Sequence, residues 1–111
     1  MRGEKGEEIA CELLHAHGYQ IVARNWRTRS GEIDIIARDG DVLVFVEVKA
    51  RSGSGFGGPG AAVDRRKQHR IVSAARAFAA EMDCTLPMRF DVVTVQPSRV
   101  RLLRDAFQVS S

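Results

Sequence analysis

The stretch GEIDIIARDGDVLVFVEVKARS, residues 31 to 52, decides the fold. Runs rich in Ile, Val and Phe lie on either side of Asp39-Gly40, a dipeptide that favours tight turns, so the segment reads as an antiparallel hairpin. Residues 42 to 48, VLVFVEV, are apolar at odd and even positions alike until Glu47, which predicts a strand buried on both faces inside a sheet covered by helices. Yet Asp34, Glu47 and Lys49 sit among these residues. Burying an ionised group without a partner is costly enough that the group protonates, pairs or binds a metal.

Outward from the hairpin, Ile9, Ala10, Leu13 and Leu14 recur at helical spacing within residues 4 to 17, and Gly18 is a natural stop. YQIVA, 19 to 23, reads as a short strand, followed by an arginine-rich turn, RNWRTRSG, 24 to 31. After Arg51, SGSGFGGPG at 52 to 60 is too rich in glycine for regular structure and is expected to be a mobile loop. Ile71, Ala74, Ala75, Phe78 and Met82 mark a second helix from about Ala61 to Met82, ended at the latest by Pro87. MRFDVVTV (88 to 95) and VRLLRDAF (100 to 107) read as strands separated by a turn at Pro97. The order α-β-β-β-α-β-(β) predicts one α/β domain over residues 1–111, a mixed β-sheet flanked by a helix on each face.

Composition narrows the function classes. With 44% hydrophobic and 28% charged residues, the chain is an ordinary soluble mixture with one core. No apolar run approaches the roughly 20 residues of a membrane-spanning helix, and MRGEKGEEIACELL has acids where a signal peptide is apolar. A cytoplasmic protein with no membrane partner is therefore expected. Cys11 and Cys84 are isolated, which argues against a metal-thiolate site, and His15 and His17 suit the C-terminal dipole of the first helix. The net charge of +3 is mild. Its distribution is uneven, with Arg24, Arg27 and Arg29 in one cluster and Arg65, Arg66, Lys67 and Arg70 in another. Such clusters are solvated surface unless they converge on one site.

In a hairpin with an even loop, Asp34 shares a face with the odd positions of the second strand. A symmetric turn at Asp39-Gly40 sets Asp34 opposite Phe45 and diagonal to Glu47, roughly 7 to 8 Å apart, with Glu32 opposite Glu47. Carboxylates so gathered repel unless a cation or Lys49 compensates them. Hard ions such as Mg²⁺ or Mn²⁺ need only one or two carboxylates and complete their shell with water and phosphate oxygens. A lysine two residues beyond Glu47 can orient a nucleophile or balance developing charge, which together describes metal-assisted phosphodiester hydrolysis. The plainer alternative for Glu47 and Lys49 alone is an ion pair at a sheet edge.

GEID followed closely by FVEVKARS resembles the central signature of the PD-(D/E)xK nuclease superfamily. The whole chain, from KGEEIA through GYQIVARNWR and FGGPGAAVDRRKQHRIVSAARAF to RFDVV, is similar to its bacterial YraN-like branch, related to archaeal Holliday-junction resolvases. Ile33 stands where the superfamily pattern has proline, as is usual for that branch. The resemblance implies a restriction-endonuclease-like core, Asp34 and Glu47 as metal ligands with the Val48 carbonyl assisting, and Lys49 as the catalytic lysine. It also implies an acidic residue on the first helix. Periodicity selects Glu7, which shares the core-facing stripe with Ala10 and Leu14, over the solvated Glu8 and Glu12. Glu7 is also the glutamate of the family's GExxA pattern.

Lys67 and Gln68 border the apolar stripe of the second helix, so that with Arg70 they can reach phosphates, or the lysine simply snorkels over the core. Asp91 in RFDVV matches the family pattern without an assigned role. Arg24, Arg27, Arg29 and Arg51 flank the proposed site and supply a basic approach to nucleic acid. The sparse aromatics favour backbone recognition of structured DNA over stacking of single-stranded bases, with the loop from Gly53 to Gly60 folding over it. Cutting both strands of a junction requires a homodimer. The alternatives to an endonuclease are a nucleic-acid-binding module that keeps the fold without turnover, and an interaction domain whose charges pair internally.

Overall fold

The strand predicted to be covered on both faces lies at the centre of the molecule. A computed structural model describes residues 4–50 and 63–108. In chain order the elements are α1 (Glu4–Ala16), β1 (Gln20–Thr28), β2 (Gly31–Asp39), β3 (Val42–Ala50), α2 (Arg65–Glu81), β4 (Met88–Gln96) and β5 (Arg99–Phe107). The strands form one sheet in the order β1-β2-β3-β4-β5, in which β3 and β4 run parallel and the other neighbours antiparallel. A parallel pair needs a crossover, and α2 lies within it.

β3 carries no polar alternation because each face has its own helix. Val44 and Val46 pack with Ala10 and Leu14 of α1, together with Ile35, Ala37 and Val93. Phe45 faces the other way, with Ile71, Ala74, Ala75 and Phe78 of α2 and with Phe90 and Val92 of β4. Phe78 meets Trp26 and Phe45 edge-on at centroid distances of 5.3 and 6.1 Å. This is the predicted mixed sheet with a helix on each face. Among the described residues no helix is long and apolar enough to cross a membrane.

Three boundaries differ from expectation. The arginine-rich stretch is strand rather than turn: β1 continues to Thr28, carrying Arg24 and Arg27, and only Arg29 lies in the turn. As the sheet's edge, β1 has just one neighbouring strand and tolerates exposed charges, while Trp26 reaches the α2-side core. The second helix starts at Arg65, where Asp64 caps it by accepting from the Lys67 N–H at 2.8 Å. Ala61 and Ala62 lie outside the described residues, and Met82 is the exposed C-cap rather than a member of the stripe. Finally, the β2–β3 turn is Gly40-Asp41, one residue later than predicted, because Asp39 pairs with Val42. Gly40 has φ of +63° and Asp41 is not left-handed, as in a turn whose glycine takes the first loop place.

Candidate functional site

The shifted turn changes which residues meet. Backbone pairing between β2 and β3 runs from Asp39–Val42 to Ile35–Val46. That register aligns Asp34 with Glu47 rather than with Phe45, and Glu32 with Lys49 rather than with Glu47. Beyond Ile35 the Asp34 side chain does the joining: the Val48 N–H donates to Asp34 Oδ2 at 2.8 Å. β2 meanwhile stays paired to β1 as far as Gly31. Ala23 and Trp26 on β1, and Ile33 and Ile36 on β2, all face the α2-side core despite separations of three, so both strands lose their alternation here. Asn25 lies inside that break at φ +53°, a left-handed conformation that asparagine tolerates better than most residues.

Asn25 leads to the third acid. Its Nδ2 donates to Glu7 Oε1 at 2.9 Å, and Arg24 Nη2 lies 3.9 Å from the same oxygen. Glu7 is buried while Glu8 and Glu12 are exposed, as the helical periodicity requires. The first turns of α1 lie over the end of β3: a Cβ on Gly6 would sit 3.5 Å from that of Ala50 and 3.8 Å from Val48 Cγ1.

Glu47 is 4% exposed, and two amines converge on its Oε2: Lys67 Nζ of α2 at 3.0 Å and Lys49 Nζ at 3.5 Å. Among the described residues neither amine forms an ion pair with Asp34 itself. Burial first, and then the charge of Glu47, push its carboxyl up to about 7 against the opposing pull of the Val48 N–H, with Glu7 adding to the rise. Two carboxylates that resist being ionised together fit a hard divalent cation. Among the described residues no three His, Cys, Asp or Glu side chains are grouped to hold an ion. An ion here would therefore take Asp34 and Glu47 and complete its shell with backbone, water or phosphate oxygens, as Mg²⁺ commonly does.

A groove of about 530 Å³ opens beside this cluster, lined by Arg27, Thr28, Gly31, Glu32, Lys67, Arg70 and Ile71. It brings together Arg27, Lys67 and Arg70 from the predicted basic set. Gly31 permits the approach of the β1–β2 turn to α2, since a Cβ there would lie 3.1 Å from the Arg70 carbonyl oxygen. Glu32 belongs to this groove, paired with Arg27 at 3.4 Å. Gln68 does not join the site: its amide donates to the Val63 carbonyl at 2.9 Å. Arg24 stands by Glu7, Arg29 is exposed in its turn, and both Arg51 and the loop from Gly53 to Gly60 lie outside the described residues.

Two site residues had escaped the sequence reading. Asn25 was legible only as an asparagine in the arginine-rich stretch read as a turn. Thr94 is the uncharged polar residue in the buried run of β4; it pairs with Lys49 in the parallel ladder, is 5% exposed, and its buried hydroxyl has no hydrogen-bond partner among the described residues. Asp91, by contrast, belongs to the fold. It lies toward the other end of β4, where its oxygens accept from Tyr19 Oη at 2.7 Å, from Arg89 Nε and Nη2 at 3.0 Å each, and from the Asp105 N–H at 2.9 Å.

Comparison with known proteins places these residues in a wider set. The profile described as Uncharacterised protein family UPF0102 matches residues 6–95. A UPF0102 protein of Symbiobacterium thermophilum is 52% identical over 111 residues, covering 95% of this chain and 94% of the relative. One from Halorhodospira halophila is 49% identical over 110 residues, covering 99% and 89%. One from Cupriavidus taiwanensis is 44% identical over 111 residues, covering 99% and 85%.

Proposed function

The chain belongs to the UPF0102 family, and from its own residues we propose that it is a divalent-metal-dependent nuclease of the PD-(D/E)xK type, hydrolysing phosphodiester bonds in structured DNA. The observation that carries this reading is the Asp34–Glu47 pair, in which burial and then the charge of Glu47 push the Asp34 carboxyl up to about 7. The similarity of GEID and FVEVKARS to the nuclease signature supports it. When bound there, Mg²⁺ or Mn²⁺ supplies Lewis-acid stabilisation of phosphate charge and a more acidic water.

The chain's own residues supply the rest. Asp34 is held by the Val48 N–H, which fixes its Oδ2 beside Glu47. Lys49, on the same face as Glu47, orients the attacking water or balances charge on a phosphate oxygen. Glu7, steadied by Asn25, adds a third negative charge nearby. Arg27 and Arg70 draw the nucleic-acid backbone into the adjoining groove, which Lys67 also lines.

The deciding experiment incubates the protein with Mg²⁺ or Mn²⁺ and four-way junction, flap, single-stranded and RNA substrates, beside Lys49→Ala. Cleavage by the parent and its loss in the variant support the nuclease. A second reading, a binding module without turnover, draws on the convergence of Lys67 and Lys49 on Glu47, which neutralises that carboxylate without a metal. Tight binding with equal, negligible cleavage by both proteins selects it.

A further inference from the structure

Lys67 belongs to two places at once. Its ammonium lies 3.0 Å from Glu47 Oε2, and its side chain lines the groove shared by Arg27, Glu32 and Arg70. We propose that Lys67 couples them: while no cation is bound Glu47 retains the amine, and once a cation takes Glu47 the amine turns into the groove and takes a phosphate of the nucleic-acid backbone. The ligand of the groove is accordingly a phosphodiester, and its affinity is set by the charge state of a carboxylate outside the groove. The ligand's chemistry rests on the nucleic-acid reading above.

The two partners differ in freedom. The Glu47 side chain is 5% exposed and fixed within the sheet, whereas that of Lys67 is 40% exposed, a compact charge on a flexible stem. Departure of Lys67 does not strand Glu47, because Lys49 remains 3.5 Å from the same oxygen. The groove also needs the charge. Arg27 is paired with Glu32 at 3.4 Å, so without Lys67 the lining of Arg27, Arg70 and Glu32 has one surplus positive charge, and with it two. A cation at Glu47 that frees Lys67 must therefore tighten phosphate binding, and by linkage bound phosphate must tighten the cation to the same degree.

The test is a double-mutant cycle read by fluorescence anisotropy of a labelled DNA duplex in chelator, so that neither metal nor turnover enters. Glu47→Gln stands in for the neutralised carboxylate. Lys67→Gln is expected to change affinity less than about twofold in the parent, where the amine is engaged, and to weaken it about tenfold in the Glu47→Gln background. The freed lysine adds one phosphate contact, so Glu47→Gln steepens the slope of log K against log salt by about 0.9 relative to the parent, and the double variant loses the gain. Equal losses from Lys67→Gln in both backgrounds overturn the coupling and leave a fixed phosphate contact; no loss in either overturns the groove as the phosphate site. Absence of binding by any of the four proteins to duplex, junction or RNA removes the nucleic-acid reading and this inference with it. Should Glu47→Gln lose its circular-dichroism signature, Mg²⁺ replaces it in the cycle, and metal-induced tightening of equal size in parent and Lys67→Gln overturns the proposal.

Discussion

Glu47 and Asp91 are buried carboxylates on neighbouring parallel strands, 4% and 0% exposed, and the protein compensates them in opposite ways. Asp91 accepts four hydrogen bonds from Tyr19, Arg89 and the Asp105 backbone, and Arg89 is itself anchored to Asp39 at 2.9 Å. Both Asp91 oxygens are committed to donors that belong to the fold. Glu47 instead shares one oxygen between two lysine amines and, beside Asp34, raises that carboxyl, which accepts from the Val48 N–H. A carboxylate surrounded by rigid donors is structural, whereas one balanced by flexible amines beside a second carboxylate has room for an incoming ligand.

Stability should separate the two ends most strongly. Asp91→Ala leaves Arg89 and Tyr19 without their shared acceptor and should lower unfolding free energy by about 3 to 5 kcal/mol in urea titrations. Asp34→Asn should do the reverse, raising it by on the order of 1 to 2 kcal/mol at pH 8, because the amide replaces a carboxyl that resists ionisation. If Asp34→Asn destabilises as much as Asp91→Ala, the contrast collapses and Asp34 is a structural clamp on Val48.

The next effect is a pH dependence confined to the Asp34 end. Its folded value of about 7 lies above the ordinary 3.8, so the folded chain holds a proton that the unfolded chain releases. That contribution to stability is fully present below 3.8 and is lost as pH rises through about 7, a swing on the order of 2 kcal/mol once discounted for partial exposure. A cation must expel this proton. Calorimetry with Mg²⁺ or Mn²⁺ at pH 6, in buffers of different ionisation heat, should show about one proton released per ion, and close to none at pH 9. Asp34→Asn should show no release at either pH, and release undiminished in that variant would assign the proton elsewhere.

These contrasts also show what the sequence could disclose. Two-sided burial of β3 was legible in VLVFVEV, and helical periodicity separated Glu7 from Glu8 and Lys67 from Arg66, because burial acts directly on such patterns. The register of the hairpin was not legible, since Asp39, Gly40 and Asp41 offer two glycine-containing turns and only the backbone chooses between them. The extension of β1 through RNWRT was hidden by its charges, which an edge strand accepts. Glu32 and Asp91 could be assigned only from three-dimensional partners, Arg27 for one and the Tyr19–Arg89 network for the other.

Tyr19 tests the fixed end by itself. Burial, and then the hydrogen bond it donates to Asp91, push its phenol up to about 12 against the opposing effect of Arg104. The proton is held in the folded chain above the ordinary 10, so this contribution is intact below 10 and lost as pH rises through about 12. Tyr19 is the chain's single tyrosine, so phenolate absorbance reads it without interference. The folded midpoint should exceed that in denaturant, and Tyr19→Phe should lower stability by about 1 to 2 kcal/mol. A normal midpoint would mean that the Asp91 end is no tighter than the other.

The smallest effect belongs to the hydroxyl of Thr94. Tyr19 Oη donates to Asp91 while accepting from Arg89 and Arg104, but the buried Thr94 Oγ1, in register with Lys49, has no partner among the described residues. A buried hydroxyl without a partner costs its desolvation, so Thr94→Val should raise stability by about 1 kcal/mol in urea titrations, while Thr94→Ser retains the unpaired group and gains nothing. Both variants keep Asp34 and Glu47, so metal affinity measured by calorimetry should not move. Were Thr94→Val instead to destabilise by a similar amount, the hydroxyl would be bonded in solution, Lys49 would stand beside a satisfied neighbour, and the open end of the sheet would be built as tightly as the end around Asp91.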